Sequence, residues 1–472
     1  MEILFATTEL APFVKVGGLA DVSAALPKHL KMLGHRVTVV MPRYPAFEEA
    51  GLMMARRLTP MKLTLGDRSF DATVFDARLP SQVELTLVEV AGIFEKIYGG
   101  GKEEAQRFAV LARVVAELAK QREDANSPYD VVHLNDWPTA LAAKHMKDLG
   151  LRTKTVLTIH NVAHQGVFPK DVLPSLGLSW DDFTVGGAEF YEQVNVLKQG
   201  IVSADSVTTV SQEYAREIQT EENGCKLHGV LQAKGRIAGI VNGVDYGVWN
   251  PATDSSLVAR YDAEDSSAKA RCKGALQKEL GLPLNGDVPI IANVGRIVEQ
   301  KGTDLVADVL PRLARGSDAQ FVVAGDGDAA LIERIEAAMT RVQGRGVFVR
   351  AASEQLVHRI YAGADITLVP SRFEPCGLVQ LYAQRYGALP VAHATGGLVD
   401  TIVDCDAKLE TGTGFLFSES TVESLFGAVQ RAVAAYGSPR WPALRRRVMR
   451  LDRGWERAAR QYEQVYRAQA GR

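Results

Sequence analysis

Residues 2–40 decide the fold class, and they read EILFATTELAPFVKVGGLADVSAALPKHLKMLGHRVTVV. The stretch starts and ends on short apolar runs rich in β-branched residues, which predict two strands. Between them, apolar residues recur at helical spacing: Leu19, Val22, Leu26, Leu30 and Leu33. Gly34 follows as the C-cap of this helix, and Pro27 predicts a kink or a break within it. A strand, a helix and a second strand in this order predict a parallel βαβ unit.

The same alternation of strands and helices continues along the chain. Strand-like runs such as DVVHL, TVLTIH, FVVAG, DITLVP and LPVAH are each followed by a helical pattern. A turn-rich segment, GVDYGVWNPATD, separates two such series, and an amphipathic helix ends the chain with no strand after it. We therefore predict an α/β protein with two doubly wound, Rossmann-like domains facing a cleft, residues 1–243 and 244–454, followed by a helix over 455–472. In such sheets, ligands bind at the carboxyl ends of the strands.

Composition excludes several classes of function. The chain has 472 residues, 46% of them hydrophobic and 23% charged, and its net charge is -2, so bulk charge does not indicate a nucleic-acid binder. The four cysteines are scattered without a partner at metal-ligand spacing, which predicts a reduced compartment and no zinc site. The chain opens on a strand-like run and contains no apolar stretch long enough to span a bilayer. These features predict a cytoplasmic protein.

A weak dinucleotide fingerprint occurs in the second half. Gly325-x-Gly327-x-x-Ala330 follows a strand and precedes a helix. The acidic residue expected about 20 residues further on, on the next strand, is absent. A glycine turn of any doubly wound domain is the favoured interpretation, and no Walker motif is present. A redox enzyme and an ATPase of the Walker type are therefore not favoured.

The turn after the first strand contains the first candidate site. Gly17 and Gly18 let backbone N–H groups approach an anion, and the start of the following helix adds its dipole. Lys15 adds a full charge, whereas Asp21 in the first helical turn is compatible with the dipole alone. A capped turn with an exposed lysine is the alternative.

A second candidate lies where TVLTI ends, at His160 and Asn161. A single histidine at a strand end is more often a satisfied core residue than a catalyst, and His164 is a competing candidate. A third candidate follows the strand IIANVG, where Arg296 and Lys301 suit a diphosphate. A solvated basic turn is the alternative for this pair.

A fourth candidate follows DITLVP. Its turn delivers Glu374, Cys376 and Gly377 at the start of a helix, where Gly377 and Leu378 have amides to donate. A nucleophilic Cys376 is less favoured than a small packed residue, because no histidine is adjacent. Downstream, Thr395, Gly396 and Gly397 repeat the glycine pair of the first turn. Anion-binding turns in both halves, together with a carboxylate and a histidine, suit a nucleotide diphosphate sugar.

Seven motifs occur here in the order found in bacterial glycogen synthases and plant starch synthases. They are KVGGLADV, HLNDWPTA, TIHNVAHQG, NGVD, GRIVEQKG, PSRFEPCGL and ATGGLVDT. The chain resembles this family over its whole length. The resemblance implies a GT-B fold whose C-terminal helix crosses back to the N-terminal domain. It also implies retaining transfer of glucose from ADP-glucose to the non-reducing 4-OH of an α-1,4-glucan such as glycogen.

The resemblance also implies site residues. The implied catalytic residues are His160, Glu374, Lys301, Arg296 and Asp136. The implied substrate-binding residues are Lys15, Gly17, Gly18, Asp21, Tyr98, Asn161, Asn242, Cys376, Gly377, Leu378, Thr395, Gly396 and Gly397. In these roles Arg296 and Lys301 bind the diphosphate, and the backbone carbonyl of His160 lies near the anomeric carbon. Glu374 holds sugar hydroxyls.

The implied mechanism uses neither a cofactor nor a metal. Fixed cations and helix dipoles can stabilise the charge that develops on the departing diphosphate. Retention by the hydrolase route would need a second carboxylate about 5 Å from the first, and no pair is placed for it. The family is described as reacting on one face of the sugar, with the departing phosphate assisting the acceptor hydroxyl.

Three positions depart from related enzymes. Many retaining GT-B enzymes have a glutamate where this chain has Tyr382, and relatives often have an adenine-stacking tyrosine where it has Ala352. The loop near residue 95 differs as well, and Tyr98 is the candidate for the donor-site tyrosine there. A UDP-glucose-dependent or other-acceptor transferase and a catalytically silent glucan-binding protein are the alternative functions.

Overall fold

The computed structural model describes residues 1–471. The first part of the chain contains thirteen strands: β1 (Glu2–Ala6), β2 (Arg36–Pro42), β3 (Met54–Arg56), β4 (Met61–Leu65), β5 (Arg68–Arg78), β6 (Glu84–Glu89), β7 (Val131–Asn135), β8 (Lys154–Ile159), β9 (Val167–Pro169), β10 (Glu189–Phe190), β11 (Gln193–Asn195), β12 (Ser206–Thr209) and β13 (Ala238–Gly239). Its α-helices are α1 (Gly18–Met32), α2 (Ala46–Glu49), α3 (Gly101–Asp124), α4 (Asp136–Asp148), α5 (Val196–Ser203), α6 (Gln212–Glu217) and α7 (His228–Lys234). Two 3₁₀ helices cover Lys170–Leu176 and Trp180–Asp182.

In the second part, helices and strands alternate from the first helix to the last strand, and the helices after that strand are consecutive. Its helices are α8 (Lys269–Glu279), α9 (Thr303–Gly316), α10 (Ala329–Thr340), α11 (Glu354–Gly363), α12 (Val379–Arg385), α13 (Gly396–Thr401), α14 (Val422–Tyr436) and α15 (Trp441–Met449), with a 3₁₀ turn at Glu299–Lys301. Its strands are β14 (Ile290–Val294), β15 (Gln320–Gly325), β16 (Gly346–Arg350), β17 (Ile366–Val369), β18 (Leu389–His393) and β19 (Phe415–Phe417). The helix α16 (Trp455–Ala470) follows.

The chain forms two compact units. One contains residues 1–242 together with the chain from Trp455 onward, and the other contains residues 243–454. The sequence predicted boundaries at 243/244 and 454/455. The segment that enters the second unit pairs with the segment that leaves it, because the Val244 N–H donates to the Arg453 carbonyl at 2.6 Å.

The N-terminal unit is built on a ten-stranded sheet in the order β13-β12-β8-β7-β1-β2-β6-β5-β3, with β4 paired to β5. The strands from β13 to β6 run parallel, whereas β3, β4 and β5 form an antiparallel extension. The strand β1 lies between β7 and β2, so the strand order reverses there. This is the point at which open α/β sheets bind ligands.

The helix α16 belongs to the core of the N-terminal unit. Trp455, Tyr462 and Tyr466 pack in its apolar cluster. The Tyr466 hydroxyl lies 2.6 Å from Nδ1 of His133, whose Nε2 lies 2.7 Å from the Thr158 hydroxyl. This buried polar connection attaches the end of the chain to β7 and β8. The implied return of the last helix to the first domain is therefore present.

The C-terminal unit contains a six-stranded parallel sheet in the order β16-β15-β14-β17-β18-β19. Apolar clusters cover both of its faces, as expected of a doubly wound sheet. The order reverses at β14, so the segments after β14, β17 and β18 lie at neighbouring strand ends. Each of these segments contains predicted site residues.

Two local predictions are settled by the structure. The helix α1 runs without interruption through Pro27, so the predicted break is wrong. The glycines of the weak fingerprint have a structural explanation, because a Cβ at Gly325 would lie 1.8 Å from the Gly295 carbonyl oxygen. A Cβ at Gly327 would lie 2.3 Å from the Ile297 carbonyl oxygen. Both glycines therefore permit the close approach of two loops.

Candidate functional site

The chain after β1 folds back on itself before it enters α1. Leu10 and Val14 each donate the backbone N–H to the other's carbonyl, both at 2.9 Å. The Ala11 N–H reaches the Ala20 carbonyl at 3.1 Å. This closed loop carries Glu9, only 4% exposed, to the backbone of the predicted anion-binding turn.

The buried carboxylate of Glu9 accepts three hydrogen bonds. Its Oε2 accepts the N–H groups of Val16 and Gly17 at 2.9 and 2.8 Å, and its Oε1 accepts the Tyr98 hydroxyl at 2.8 Å. Burial, followed by the charge of Glu9, raises the pKa of Tyr98 well above its usual range. The Gly17 amide, predicted to face a ligand, is thus committed to Glu9. The hydroxyl of Tyr98, predicted to face the donor, is also directed to Glu9.

Lys15 and the start of α1 form the exposed side of this turn. Lys15 Nζ lies 2.9 Å from Oδ1 of Asp21, and both side chains are partly exposed. A Cβ built on Gly17 would meet no atom within 4 Å, so packing does not require a glycine there. Gly18 is exposed and begins α1. The open space beside Gly17 fits a turn that a ligand approaches closely.

Asp136 holds the backbone that follows β8. It begins α4 with a φ of 54°, a left-handed conformation that aspartate adopts more readily than most residues. Its Oδ1 accepts the His160 N–H at 2.7 Å and the Asn161 N–H at 3.4 Å. Burial raises the pKa of Asp136 to about 7, although these two hydrogen bonds oppose the rise. Asp136 therefore acts on the segment of His160 through its backbone.

The ring of His160 is held as a neutral imidazole. Its Nε2 lies 2.9 Å from Oδ1 of Asn135, and the Asn135 Nδ2 donates to the Ala6 carbonyl at 2.9 Å. Because the amide nitrogen is used as a donor, Oδ1 accepts, and the proton of His160 is on Nε2. Burial lowers the pKa of His160 to about 3. Asn135 was not among the predicted residues, although it directly precedes Asp136.

Two asparagines of the N-terminal unit differ in the hydrogen bonding of their side-chain oxygens. Asn161 is half-buried and accepts the Ala163 N–H at 3.0 Å through its side chain. Asn242 is buried, and its Oδ1 has no hydrogen-bond partner in the structure. A buried acceptor without a donor is costly unless a further group satisfies it. A sugar hydroxyl is a group of the right kind.

In the C-terminal unit, Lys301 and Glu374 form one charge pair. Lys301 Nζ lies 2.5 Å from Oε2 of Glu374, which also accepts the Ser371 hydroxyl at 2.8 Å. Gly302 makes this approach possible, because it has a φ of 66° and a Cβ there would lie 2.1 Å from the Pro370 carbonyl oxygen. The structure thus brings together two residues that the sequence placed 73 positions apart. Ser371 was missed by the sequence analysis.

Arg296 lies in the segment between β14 and the 3₁₀ turn that carries Lys301. Its Nη2 contacts Oε1 of Gln300 at 3.5 Å, and Gln300 in turn donates to the Phe373 carbonyl at 3.4 Å. These long contacts leave the guanidinium able to reorient toward an anion. Arg296, Lys301 and Glu374 are therefore gathered at the neighbouring ends of β14 and β17.

The turns after β17 and β18 pack against each other. The Gly397 N–H donates to the Glu374 carbonyl at 2.9 Å, and a Cβ on Gly397 would lie 2.2 Å from the carbonyl oxygen of Cys376. Cys376 is buried, and Gly377 has a φ of 73°. Glycine at 397 thus serves a close contact between two backbones.

The remaining predicted residues of this unit lie at helix starts beside that contact. Thr395 is buried ahead of α13, and Gly396 begins this helix with a φ of 45°. Leu378 is the N-cap residue of α12. Backbone N–H groups at the start of a helix suit an anion or a hydroxyl.

Two of the three departures from related enzymes, at Tyr382 and Ala352, have structural counterparts. Tyr382 stacks on Trp249 with ring centres 4.0 Å apart, and the other face of Trp249 stacks on His358 at 3.9 Å. The side chain at 382 is therefore part of an aromatic core. Ala352 follows β16 and packs at the edge of the same apolar cluster.

Within residues 1–471, no helix is long and apolar enough to cross a membrane. The same part of the chain has no cluster of three or more His, Cys, Asp or Glu side chains that could hold a metal ion.

Two family models match the chain. The model described as the starch synthase catalytic domain matches residues 2–233, and that of glycosyl transferases group 1 matches residues 278–441. The glycogen synthase of Anaeromyxobacter sp. (strain Fw109-5) is 45% identical, with 100% of each chain covered. Glycogen synthase 2 of Geobacter sulfurreducens is 40% identical over 100% of this chain and 99% of its own.

Solved structures agree with these relatives. The catalytic domain of starch synthase IV from Arabidopsis thaliana, bound to ADP and acarbose, matches with a TM-score of 0.91 and 31% identity, covering 100% of this chain and 99% of that one. Sucrose-phosphate synthase from Thermosynechococcus elongatus matches with a TM-score of 0.63 at 19% identity, covering 99% and 98%, which shows the fold alone. The predicted GT-B fold is confirmed. The chain therefore belongs to the glycogen and starch synthase family of glycosyltransferases.

Proposed function

We propose that the chain transfers glucose from ADP-glucose to the non-reducing 4-OH of an α-1,4-glucan, with retention at the anomeric carbon and release of ADP. The observation that carries this proposal is the pairing of Lys301 with Glu374 beside Ser371. It places a cation for a phosphate next to a buried carboxylate for sugar hydroxyls. The relative solved with ADP and acarbose has a nucleotide and an oligosaccharide analogue of the matching kinds.

The cations of the C-terminal unit stabilise the leaving group in this proposal. As the bond to the anomeric carbon breaks, negative charge grows on the diphosphate. Arg296 and Lys301 lie near the ends of parallel strands, and their positive charges can stabilise the charge that develops there. We propose that this reaction needs neither a cofactor nor a metal, because these side chains supply the positive charge.

The backbone carbonyl and the neutral imidazole ring of His160 face the sugar in this proposal. Asp136 fixes the backbone of His160, and Asn135 fixes its imidazole with the proton on Nε2. A neutral imidazole adds no positive charge next to an anomeric carbon that itself becomes positive. In this proposal the carbonyl of His160 faces the anomeric carbon, and Asp136 is a positioning residue.

Donor choice is the sharpest test. Purified protein is supplied with glycogen and either ADP-glucose or UDP-glucose, and incorporated glucose and released nucleoside diphosphate are measured with and without EDTA. We expect at least tenfold higher kcat/KM with ADP-glucose, and no loss with EDTA. A higher kcat/KM with UDP-glucose would show that UDP-glucose is the donor. Ala352 would then be the first position to examine. Binding of glycogen without release of ADP or UDP would favour a silent glucan-binding protein.

A further inference from the structure

Glu9 has no role in the site as proposed so far, yet it is the most buried carboxylate near the glycine turn. Three donors face its two oxygens: the N–H groups of Val16 and Gly17, and the Tyr98 hydroxyl. An ionised carboxylate offers only acceptors, so it satisfies all three of these groups.

The two amides that contact Glu9 are consecutive in the chain and donate to the same oxygen. Successive backbone N–H groups that point at one centre form a nest, which in many proteins binds a phosphate or another anion of a ligand. In this chain the nest of Val16 and Gly17 is filled by Oε2 of Glu9. The donors available to a ligand therefore begin one residue later, at Gly18, where α1 starts.

The other oxygen of Glu9 is attached to a distant part of the chain. The Tyr98 hydroxyl donates to Oε1, so its contact of 3.2 Å with the Thr8 hydroxyl requires Thr8 to be the donor there. The carboxylate is also held through its own backbone, because the Thr7 hydroxyl donates to the Glu9 carbonyl at 3.1 Å. Glu9 is thus held through both its side chain and its backbone.

We propose that Glu9 is a positioning residue for the donor: a buried hydrogen-bond acceptor that shapes residues 15–18 so that Lys15 and the start of α1 face the diphosphate sugar. This inference rests on the proposed function for the identity of the ligand. The shaping of the loop by Glu9 does not depend on that identity and can be measured separately.

The chain offers variants that separate shape from charge. In Glu9→Gln, the amide oxygen can still accept both N–H groups, and its NH₂ can donate to Tyr98. The Tyr98 hydroxyl can then turn and donate to Thr8, so the network survives without the charge. Glu9→Ala removes the acceptor, and Tyr98→Phe removes a single donor. Glu49→Gln, at an exposed position of α2, is the matched control.

Hydrogen exchange tests the loop in the full-length protein without any substrate. In Glu9→Ala we expect the amides of Val16 and Gly17 to exchange at least tenfold faster, whereas Glu9→Gln and Glu49→Gln remain within threefold of the wild type. Unchanged exchange in Glu9→Ala would overturn the shaping of the loop. If Glu9→Ala does not fold, faster exchange of these amides in Glu9→Gln than in Tyr98→Phe would contradict the network described above.

Steady-state kinetics with ADP-glucose and glycogen tests the link to the donor. We expect kcat/KM for ADP-glucose to fall at least tenfold in Glu9→Ala, with the KM for glycogen unchanged, and to recover to within threefold of the wild type in Glu9→Gln. A merely structural residue would lower the folded fraction without this split between substrates. Equal losses in Glu9→Gln and Glu9→Ala would overturn positioning in favour of a direct effect of the charge. Inactive wild-type protein would count against the proposed function, and exchange alone would then decide the shaping of the loop.

Discussion

The glycine-containing turns of the two units look alike in sequence but are stabilised in opposite ways. In the N-terminal unit, the carboxylate of Glu9 holds the backbone of the turn, and Gly17 has open space where its Cβ would be. In the C-terminal unit, the carboxylate of Glu374 holds the side chain of Lys301, and Gly302 and Gly397 are pressed against other backbones. These glycines therefore leave space for a ligand in the N-terminal unit and serve chain packing in the C-terminal unit.

This difference sets how far each lysine depends on its neighbours. Lys301 is fixed by a buried partner on another strand end, whereas Lys15 pairs with Asp21 near the surface, on the helix that it precedes. Exposed ion pairs contribute about 0–1 kcal/mol, while a pair with a buried member is costly to break from one side. The turn of the C-terminal unit should therefore tolerate substitution less well.

Replacement of Glu374 should have the largest effect. Glu374→Ala leaves Lys301 and Ser371 without their common acceptor and removes the proposed partner of sugar hydroxyls. We expect kcat to fall about 10³-fold, the scale seen when a fixed polar group is removed from an active site. Turnover of ADP-glucose on glycogen is measured alongside thermal unfolding. Unchanged turnover in a folded Glu374→Ala protein would remove Glu374 from the site.

Alanine substitutions at two glycines compare the turns directly. Gly397→Ala places a Cβ 2.2 Å from the Cys376 carbonyl oxygen, and we expect a loss of about 3 kcal/mol in the free energy of unfolding. Gly17→Ala meets no atom, so it should cost at most about 1 kcal/mol, the range for alanine at a helix N-cap. Urea unfolding of both variants measures the difference. Similar losses in the two would show that the turns do not differ as described.

Much of this architecture could be predicted from local sequence. The first βαβ unit, the parallel strands and the final helix each have a clear periodicity, and the structure contains all of them. The antiparallel strands β3, β4 and β5 were not predicted, although the residues of β4 alternate between buried and exposed, as those of a half-exposed strand do. The three short strands β9, β10 and β11 are two or three residues long and leave no readable period.

The site was harder to predict, for a physical reason. Residues that follow strand ends could be found, because parallel strands bring their carboxyl ends together. Glu9 could not, since its partner Tyr98 lies 89 positions away and nothing in TTELAP indicates a buried carboxylate. The stacking of Tyr382 on Trp249 likewise depends on a contact between distant segments. Supporting residues are therefore less visible in sequence than the residues they support.

Lys15 should matter less than Glu374, because it adds a point charge at a partly exposed position. We expect Lys15→Ala to lower kcat/KM for ADP-glucose by about 10- to 100-fold, equivalent to about 1.4–2.7 kcal/mol. Thermal stability should stay close to that of the wild type. Lys15→Arg is the control that keeps the charge and should recover part of the loss. A loss as large as that of Glu374→Ala would contradict the difference between the two turns.

A further expected effect concerns the free energy of unfolding and depends on pH. Burial raises the pKa of Asp136 to about 7, so the folded protein keeps a proton that the unfolded chain loses near pH 4. Raising the pH from about 4 to 7 therefore favours the unfolded state, and above about pH 7 the contribution of Asp136 to the free energy of unfolding becomes constant.

Asp136→Asn keeps an oxygen for the His160 N–H and tolerates the positive φ, but it does not titrate. Relative to this variant, the wild type should lose on the order of 2 kcal/mol across that range, less than the full shift because Asp136 is partly exposed. Urea unfolding at pH 5, 6, 7 and 8 measures the loss, and a difference that does not change with pH would show that Asp136 is already ionised in the folded protein. In that case the carboxylate would carry a full charge beside His160, and Asp136→Asn would test that charge rather than the hydrogen bond.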